Sequence, residues 1–407
     1  MGFDFDIAIV GGGLNGPALA IALADLGCDV VLIDALGSKP RKKAGFDGRA
    51  YAIALTSARM LNGIGIWQDV KQYAQPMLDI KVTDGRAGEG ASPFFMHFDH
   101  AEIEEGPMGY MLEDRHLRRS LLDTAEAHPK IQIKNKRRVH AQIVDETGIT
   151  LSMDKGPSLR AHLAIGADGR GSGTAQRADI KRISWAYDQT ALVCAVTHEK
   201  PHFGVAHQFF MPAGPLAILP LTGNRSQVVW SEQAATAAAV NELDDPAYLD
   251  ILRPRFGDFL GQLSLAGTRY TYPLGLSLTH DMIADRVALV GDAAHGVHPI
   301  AGQGLNAGMR DVAALAHVIG EAKQRGEDIG AASVLEQYQR WRRFDNATLA
   351  VATDSFNRLF SNDNALIRVA RGIGMGAVAN LSGLRRGFIR EASGLNGDLP
   401  KLMQMPL

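Results

Sequence analysis

Three glycine-rich clusters hold most of the residues in this 407-residue chain that could do chemistry. The first is Gly11-Gly12-Gly13-Leu14-Asn15-Gly16, in which Gly11, Gly13 and Gly16 fit the spacing G-x-G-x-x-G. A turn of this kind, between a strand and a helix, presents bare backbone amides to a pyrophosphate at the positive end of the helix. Gly11 permits the tight turn, Gly13 the approach of the phosphates, and Gly16 close packing of helix on strand. Asp34 follows at the end of the next strand pattern, where an acid can accept ribose hydroxyls. These residues alone do not separate NAD from FAD.

The second cluster is Gly166-Ala167-Asp168-Gly169-Arg170-Gly171-Ser172, which by itself reads as a strand-ending turn. The third is Gly291-Asp292-Ala293-Ala294-His295, continuing through His298, Pro299, Gly302 and Gln303 to Gly304, Leu305 and Asn306. Asp292 at a strand end can accept hydrogen bonds from polyol hydroxyls, such as a flavin's ribityl chain. Amides around Gly304 and Leu305, at a helix start, can face an anionic ring edge. His295 and His298 have the spacing of an H-x-x-H metal pair. No cysteine or acid accompanies them at a suggestive spacing, so no metal is expected.

The surrounding pattern supplies elements to position these clusters. Residues 6–10 (DIAIV) and 29–33 (DVVLI) read as buried strands, and 17–26 (PALAIALADL) as the helix between them. So short a strand-helix-strand unit implies parallel pairing. Residues 286–290 (RVALV) form a similar strand, and Leu305, Met309, Val312, Ala316 and Ile319 recur behind it at helical spacing. Residues 77–98 and 190–230 are β-prone and bounded by Pro and Gly, a second sheet built from separate pieces. Beyond about residue 331 the pattern is mostly helical.

Composition bounds the rest. Hydrophobic residues make up 46% and charged residues 21%, an ordinary globular balance. With 42 basic and 44 acidic residues, the net charge of -2 gives no global field for a polyanion, so nucleic acid is not an expected partner. Two distant cysteines, Cys28 and Cys194, suit a reducing compartment. The acidic N-terminus lacks the pattern of a signal peptide, and no apolar run is long enough for a spanning helix.

Taken in this order, the three clusters resemble the FAD-dependent aromatic hydroxylases of the p-hydroxybenzoate hydroxylase fold. The run from His298 to Asp311 (HPIAGQGLNAGMRD) is similar, more narrowly, to the UbiH/UbiF-type hydroxylases of ubiquinone biosynthesis. The resemblance extends over nearly the whole chain. It implies a mixed α/β fold: a Rossmann-like FAD-binding domain over 1–75, 105–185 and 270–345, interleaved with a β-sheet substrate domain over 76–104 and 186–269. A helical segment, 346–407, follows. By the same resemblance Gly11, Gly13, Gly16 and Asp34 hold the ADP half of FAD. Arg49 lies near the phosphates and ribose, Arg115 meets the adenosine, and Asp168 contacts FAD. Asp292 sits at the ribityl chain, and Gly304, Leu305 and Asn306 surround the isoalloxazine through backbone groups. Arg118 and Arg119 are expected on a solvated face.

For substrate, the resemblance implicates Pro299, Gln208, Phe209, Leu219 and Pro220. The implied reaction is hydroxylation of a polyprenylated phenol with O2, through a flavin C4a-hydroperoxide, with NAD(P)H as electron donor. No second dinucleotide fingerprint is present, which leaves a separate reductase open. No residue is identified as the catalytic proton acceptor. Arg368, Arg371, Arg385, Arg386 and Arg390 flank an uncharged stretch, 372–384, with no acid among them. Such a tail suits an anionic membrane surface or other ubiquinone-biosynthesis proteins, or else a helical cover on the flavin domain. The expected location is cytoplasmic, peripheral on the inner face of the membrane, and an oligomer is left open. Two alternatives stand: a flavin monooxygenase for a soluble aromatic, and a catalytically silent flavin-fold lipid-binding partner.

Overall fold

In the computed structural model, residues 2–37, 41–42, 45–88, 90–296, 303–360 and 381–407 are described. Strands Phe5–Val10 and Val30–Asp34 are apolar on both faces and pair in parallel. Helix Asn15–Asp25 connects them, its small alanines letting it lie close on the sheet. Leu159–Gly166 and Val287–Leu289 extend the same parallel array on the other side. Among the described residues this sheet has eight strands. Its register sets Val10 against Ile33 and Gly166, and Gly166 against Leu289. The carboxyl ends of these strands therefore finish in one row, where ligands bind in open α/β sheets.

A second, mostly antiparallel sheet, of nine strands among the described residues, lies beside it. Its centre is the long strand Arg182–His198, paired with Arg225–Gln233 and with Tyr270–Thr279. One face is covered by helices Ala234–Asn241 and Asp245–Phe256, over a core of Trp230, Tyr248, Leu252 and Phe256. The other face turns toward a three-stranded sheet of Ala50–Ala54, Gly109–Glu113 and Gln75–Met77. Here Met77 and Met111 pack on Ala195, Ala206 and Leu221.

The second sheet takes in more chain than the pattern suggests. Arg182–His198 starts ahead of residue 186, and Tyr270–Thr279 and His295–Gly296 belong to this sheet, although segments 105–185 and 270–345 were expected in the flavin domain. In segments 182–186 and 270–279 apolar residue types do not consistently mark a buried face: Ile183, Trp185 and Tyr272 are among their exposed residues. Ala332–Phe360 is one long helix. Helix Ser382–Ala392 lies on the antiparallel sheet: Ile389 packs with Met96, Phe98 and Phe210. The chain then returns to the flavin side, where Met403 joins the main core.

Candidate functional site

The three glycine clusters meet at the row of strand ends. Gly11 has φ +118°, and a Cβ there would stand 2.3 Å from the Ala167 carbonyl oxygen, so the first cluster abuts the second. A Cβ on Gly16 would fall 1.9 Å from the Gly11 carbonyl oxygen, the close helix-strand approach that the spacing predicts. The Asn15 side chain reaches the third cluster: a Cβ on Gly291 would meet its Nδ2 at 2.1 Å, and one on Gly308 at 2.4 Å. Arg170 closes the ring, with its Nε 3.5 Å from Asp292.

Open space lies between them. A Cβ on Gly13 or Gly304 would meet nothing within 4 Å. Asn15 Oδ1 is buried without a hydrogen-bond partner, which is costly unless a ligand donates to it. Asp34 is buried at the end of its strand. It accepts Arg41 Nε at 2.6 Å and Arg41 Nη2 at 2.9 Å, and a carboxylate retains capacity for a further donor. Asp292, 48% exposed, faces outward from the turn Gly291–Ala293. Bare amides, an orphan amide oxygen, a strand-end acid and an outward acid on the third turn fit a dinucleotide carrying a polyol chain.

Other expected contacts are engaged within the protein. Arg49 donates to Asp47 at 2.7 Å and lies 3.5 Å from Asp114. The hydrogen bond to Asp47 raises its guanidinium above the ordinary range; burial opposes this, and the charges of Asp114 and Asp47 add to the rise. Arg115 donates to Glu113 at 2.7 Å. Asp168 accepts Ser172 Oγ, the Thr174 amide and Thr174 Oγ1, so its side chain caps the short helix Gly173–Arg177. Asn306 accepts the Ala54 amide and donates to the Ala52 carbonyl, tying the start of helix Gln303–Gln324 to strand Ala50–Ala54. Gly304 and Leu305 occupy that first turn, where amides lack intrahelical partners.

The substrate candidates divide by face. Gln208 and Leu219 turn to the interdomain side, and Leu219 packs with the Met77–Met111 cluster. Phe209 faces the other way, into the core of Trp230 and Tyr248, so it does not line that side. Strand alternation puts Pro220 on the same far face as Phe209. Pro299 and His298 lie outside the described residues, as do Arg368 and Arg371. Arg118 corrects another expectation: it is buried and donates to both oxygens of Asp114, at 2.9 and 2.6 Å. Tyr51 donates to Asp114 as well.

Several residues went unnoticed in the sequence. Gln227 is 3% exposed on the interdomain face, and its Oε1 has no partner. Gln208 Nε2 is also buried and unpartnered. Arg182 donates to Ser277 and to the Ala293 carbonyl, joining the second sheet to the third glycine turn. Beneath that turn, Asp311, His295 and Arg342 form a buried ion cluster. Burial would raise the Asp311 carboxyl, but His295 and Arg342 outweigh it and bring it down to about 2. An acid on the otherwise apolar stripe Ala307, Asp311, Ala314, Leu315 was the available signal.

A parallel sheet with this cradle at its strand ends, beside a large antiparallel sheet, defines a dinucleotide-dependent oxidoreductase. The family described as FAD binding domain matches residues 4–351, and the chain belongs to it as an FAD-dependent monooxygenase. The chain is 43% identical over 402 residues to "Ubiquinone hydroxylase UbiL" of Rhodospirillum rubrum, covering 98% of this chain and 92% of that protein. It is 33% identical to "3-demethoxyubiquinol 3-hydroxylase" of Escherichia coli, covering 96% and 98%. Among solved structures, p-nitrophenol 4-monooxygenase PnpA of Pseudomonas putida DLL-E4 shares the fold, with TM-score 0.80 and 19% identity over 98% of this chain and 99% of that one.

Proposed function

We propose that this protein hydroxylates the aromatic ring of a polyprenylated phenol in ubiquinone biosynthesis, working at a membrane surface. The observation that carries this reading is the 43% identity to a ubiquinone hydroxylase across 98% of the chain, cradle and interdomain sheet included. Gly11, Gly13, Gly16 and Asp34 would hold the ADP half of FAD. Arg49 and Arg115, oriented by Asp47 and Glu113, would meet its phosphate and adenosine groups. Asp292 would accept from the ribityl hydroxyls, and the amides of Gly304 and Leu305 would face the flavin ring. Asp168 would act through the turn it caps, and Asn306 by fixing the helix start.

Bound FAD supplies the redox chemistry that places one atom of O2 on the ring, with NAD(P)H as the electron source. The protein's part is to bind, orient and exclude water. Met77, Met111, Leu219 and Leu221 make the interdomain side apolar, so a ring held there would be shielded from solvent. Among the described residues, Gln208 Nε2 and Gln227 Oε1 are two buried polar atoms on that side without a hydrogen-bond partner. A phenol needs one donor and one acceptor, and the two amides offer one of each.

The test is turnover by the FAD-loaded protein with NAD(P)H and O2, against a polyprenylated phenol and against soluble 4-hydroxybenzoate. The expected product is the prenylated phenol carrying one added oxygen. Turnover of the soluble acid alone would assign the protein to soluble aromatics. No oxygen-dependent turnover of either would assign it to the silent lipid-binding alternative.

A further inference from the structure

Under the turn Gly291–Ala293 lies a charge cluster that the cradle does not use directly. Asp311, on helix Gln303–Gln324, is 0% exposed. Its Oδ2 accepts the Gly291 amide at 2.9 Å and His295 Nε2 at 2.5 Å. Its Oδ1 accepts Arg342 Nε at 2.8 Å. Arg342 comes from helix Ala332–Phe360 and donates onward to Asp345 at 2.6 Å and Asn346 at 3.0 Å. His295 belongs to the short strand His295–Gly296, which pairs with Ser277 and Leu278 of the antiparallel sheet. One carboxylate thus joins the third glycine turn, the helix that follows it, the long C-terminal helix and the second sheet.

Packing alone does not account for this choice. Well-packed apolar side chains often replace a buried ion cluster without loss of stability. What an apolar residue could not do is hold the Gly291 amide. Gly291 has φ +59°, and a Cβ there would meet Asn15 Nδ2 at 2.1 Å, so the position admits only glycine. The hydrogen bond from its amide to Asp311 sets it from beneath. Asp292 is the next residue, and Gly304 and Leu305 are two turns ahead of Asp311 on the same helix.

We propose that Asp311, with His295 and Arg342, is the positioning group of the flavin site. It locks the Asp292 turn and the amide-bearing start of helix Gln303–Gln324 in one register, so that both meet a single cofactor. The inference rests on the reading that Asp292 and this helix start contact FAD.

His295→Met and His295→Gln are matched in size, but only glutamine returns an N–H to Asp311. FAD affinity is measured by fluorescence titration of apo-protein, together with the visible spectrum of bound flavin and the thermal unfolding of each apo-variant. His295→Met and Asp311→Asn are expected to weaken FAD by about tenfold or more and to shift the flavin bands. His295→Gln is expected to stay within about threefold of the parent. Equal FAD affinity and identical spectra for His295→Met and His295→Gln would overturn the proposal, even if the methionine variant unfolds earlier. Where Asp311→Asn does not fold, the His295 pair decides. Asp292→Ala separates the two layers: if it binds FAD as the parent does, the contact reading itself fails. If Asp292→Ala weakens FAD and His295→Met does not, only the positioning role fails.

Discussion

His207 lies at the edge of an aromatic group, its ring stacked with Phe209 and 4.6 Å from Phe259. Burial, assisted by Lys81, lowers its imidazole to about 4. In the unfolded chain the same group protonates near pH 6.5. Between these values the unfolded chain takes up a proton that the folded chain refuses, so stability is complete above about pH 6.5 and falls as the pH drops toward 4. The loss approaches about 3 kcal/mol at the lower end. Urea unfolding of the parent and of His207→Gln at pH 7 and pH 5 checks this: the parent should lose more stability between them, and equal losses would refute it. No spacing rule pointed to His207, because its environment comes from strands and a loop distant in sequence. The same limit explains Asp311 and Gln227, whose partners, or lack of them, exist only once the sheets are assembled. The tight turn at Gly11 and the close packing at Gly16 were legible because local backbone geometry sets them.

Glu113 shows what elements add. It ends strand Gly109–Glu113, is buried, and accepts Arg115 Nε and Arg225 Nη2, both at 2.7 Å. Arg225 begins a strand of the nine-stranded sheet, and both guanidinium groups lie over the ring of Phe46. One carboxylate therefore fastens the small sheet and the helix that carries Arg115 to the large sheet. Glu113→Gln removes the charge that both arginines face. Because the arginines are 24–30% exposed, the expected loss is about 2 kcal/mol, below the roughly 3–5 kcal/mol of a fully buried broken pair. Calorimetry should show a Tm lower by several degrees, and an unchanged Tm would mean that Glu113 does not fasten the sheets. The parallel βαβ unit was readable from its apolar runs and small helix. The extent of the second sheet was less so, since half of each of its strands faces solvent or a helix, and pairing partners lie far apart in the chain.

Across the whole molecule, a net charge of -2 leaves no overall attraction to an anionic surface. No helix among the described residues is long and apolar enough to cross a membrane. Any contact with lipid would then come from a local face, and helix Ser382–Ala392 offers one. Ile389 anchors it in the core beneath the antiparallel sheet, and Arg385 donates to Glu102, so the helix is held in place. Of the tail's two expected roles, a cover on the flavin domain fits Met403, while this helix covers the antiparallel sheet instead. Leu381, Leu384 and Phe388 remain 54%, 52% and 40% exposed, beside exposed Arg386. Leu384 and Phe388 are four residues apart and share one side of the helix. An apolar side bordered by arginine is the pattern of a helix lying in an anionic interface. A substrate with a polyprenyl tail would be met there, at the edge of the sheet that carries Gln208. Leu384→Glu with Phe388→Glu should lower sedimentation with phosphatidylglycerol-containing vesicles by about tenfold. Turnover of a phenol with a short, soluble tail should fall much less, because neither residue belongs to the glycine cradle or to the Met77–Met111 cluster. Undiminished sedimentation of the double variant would remove this helix as the lipid contact.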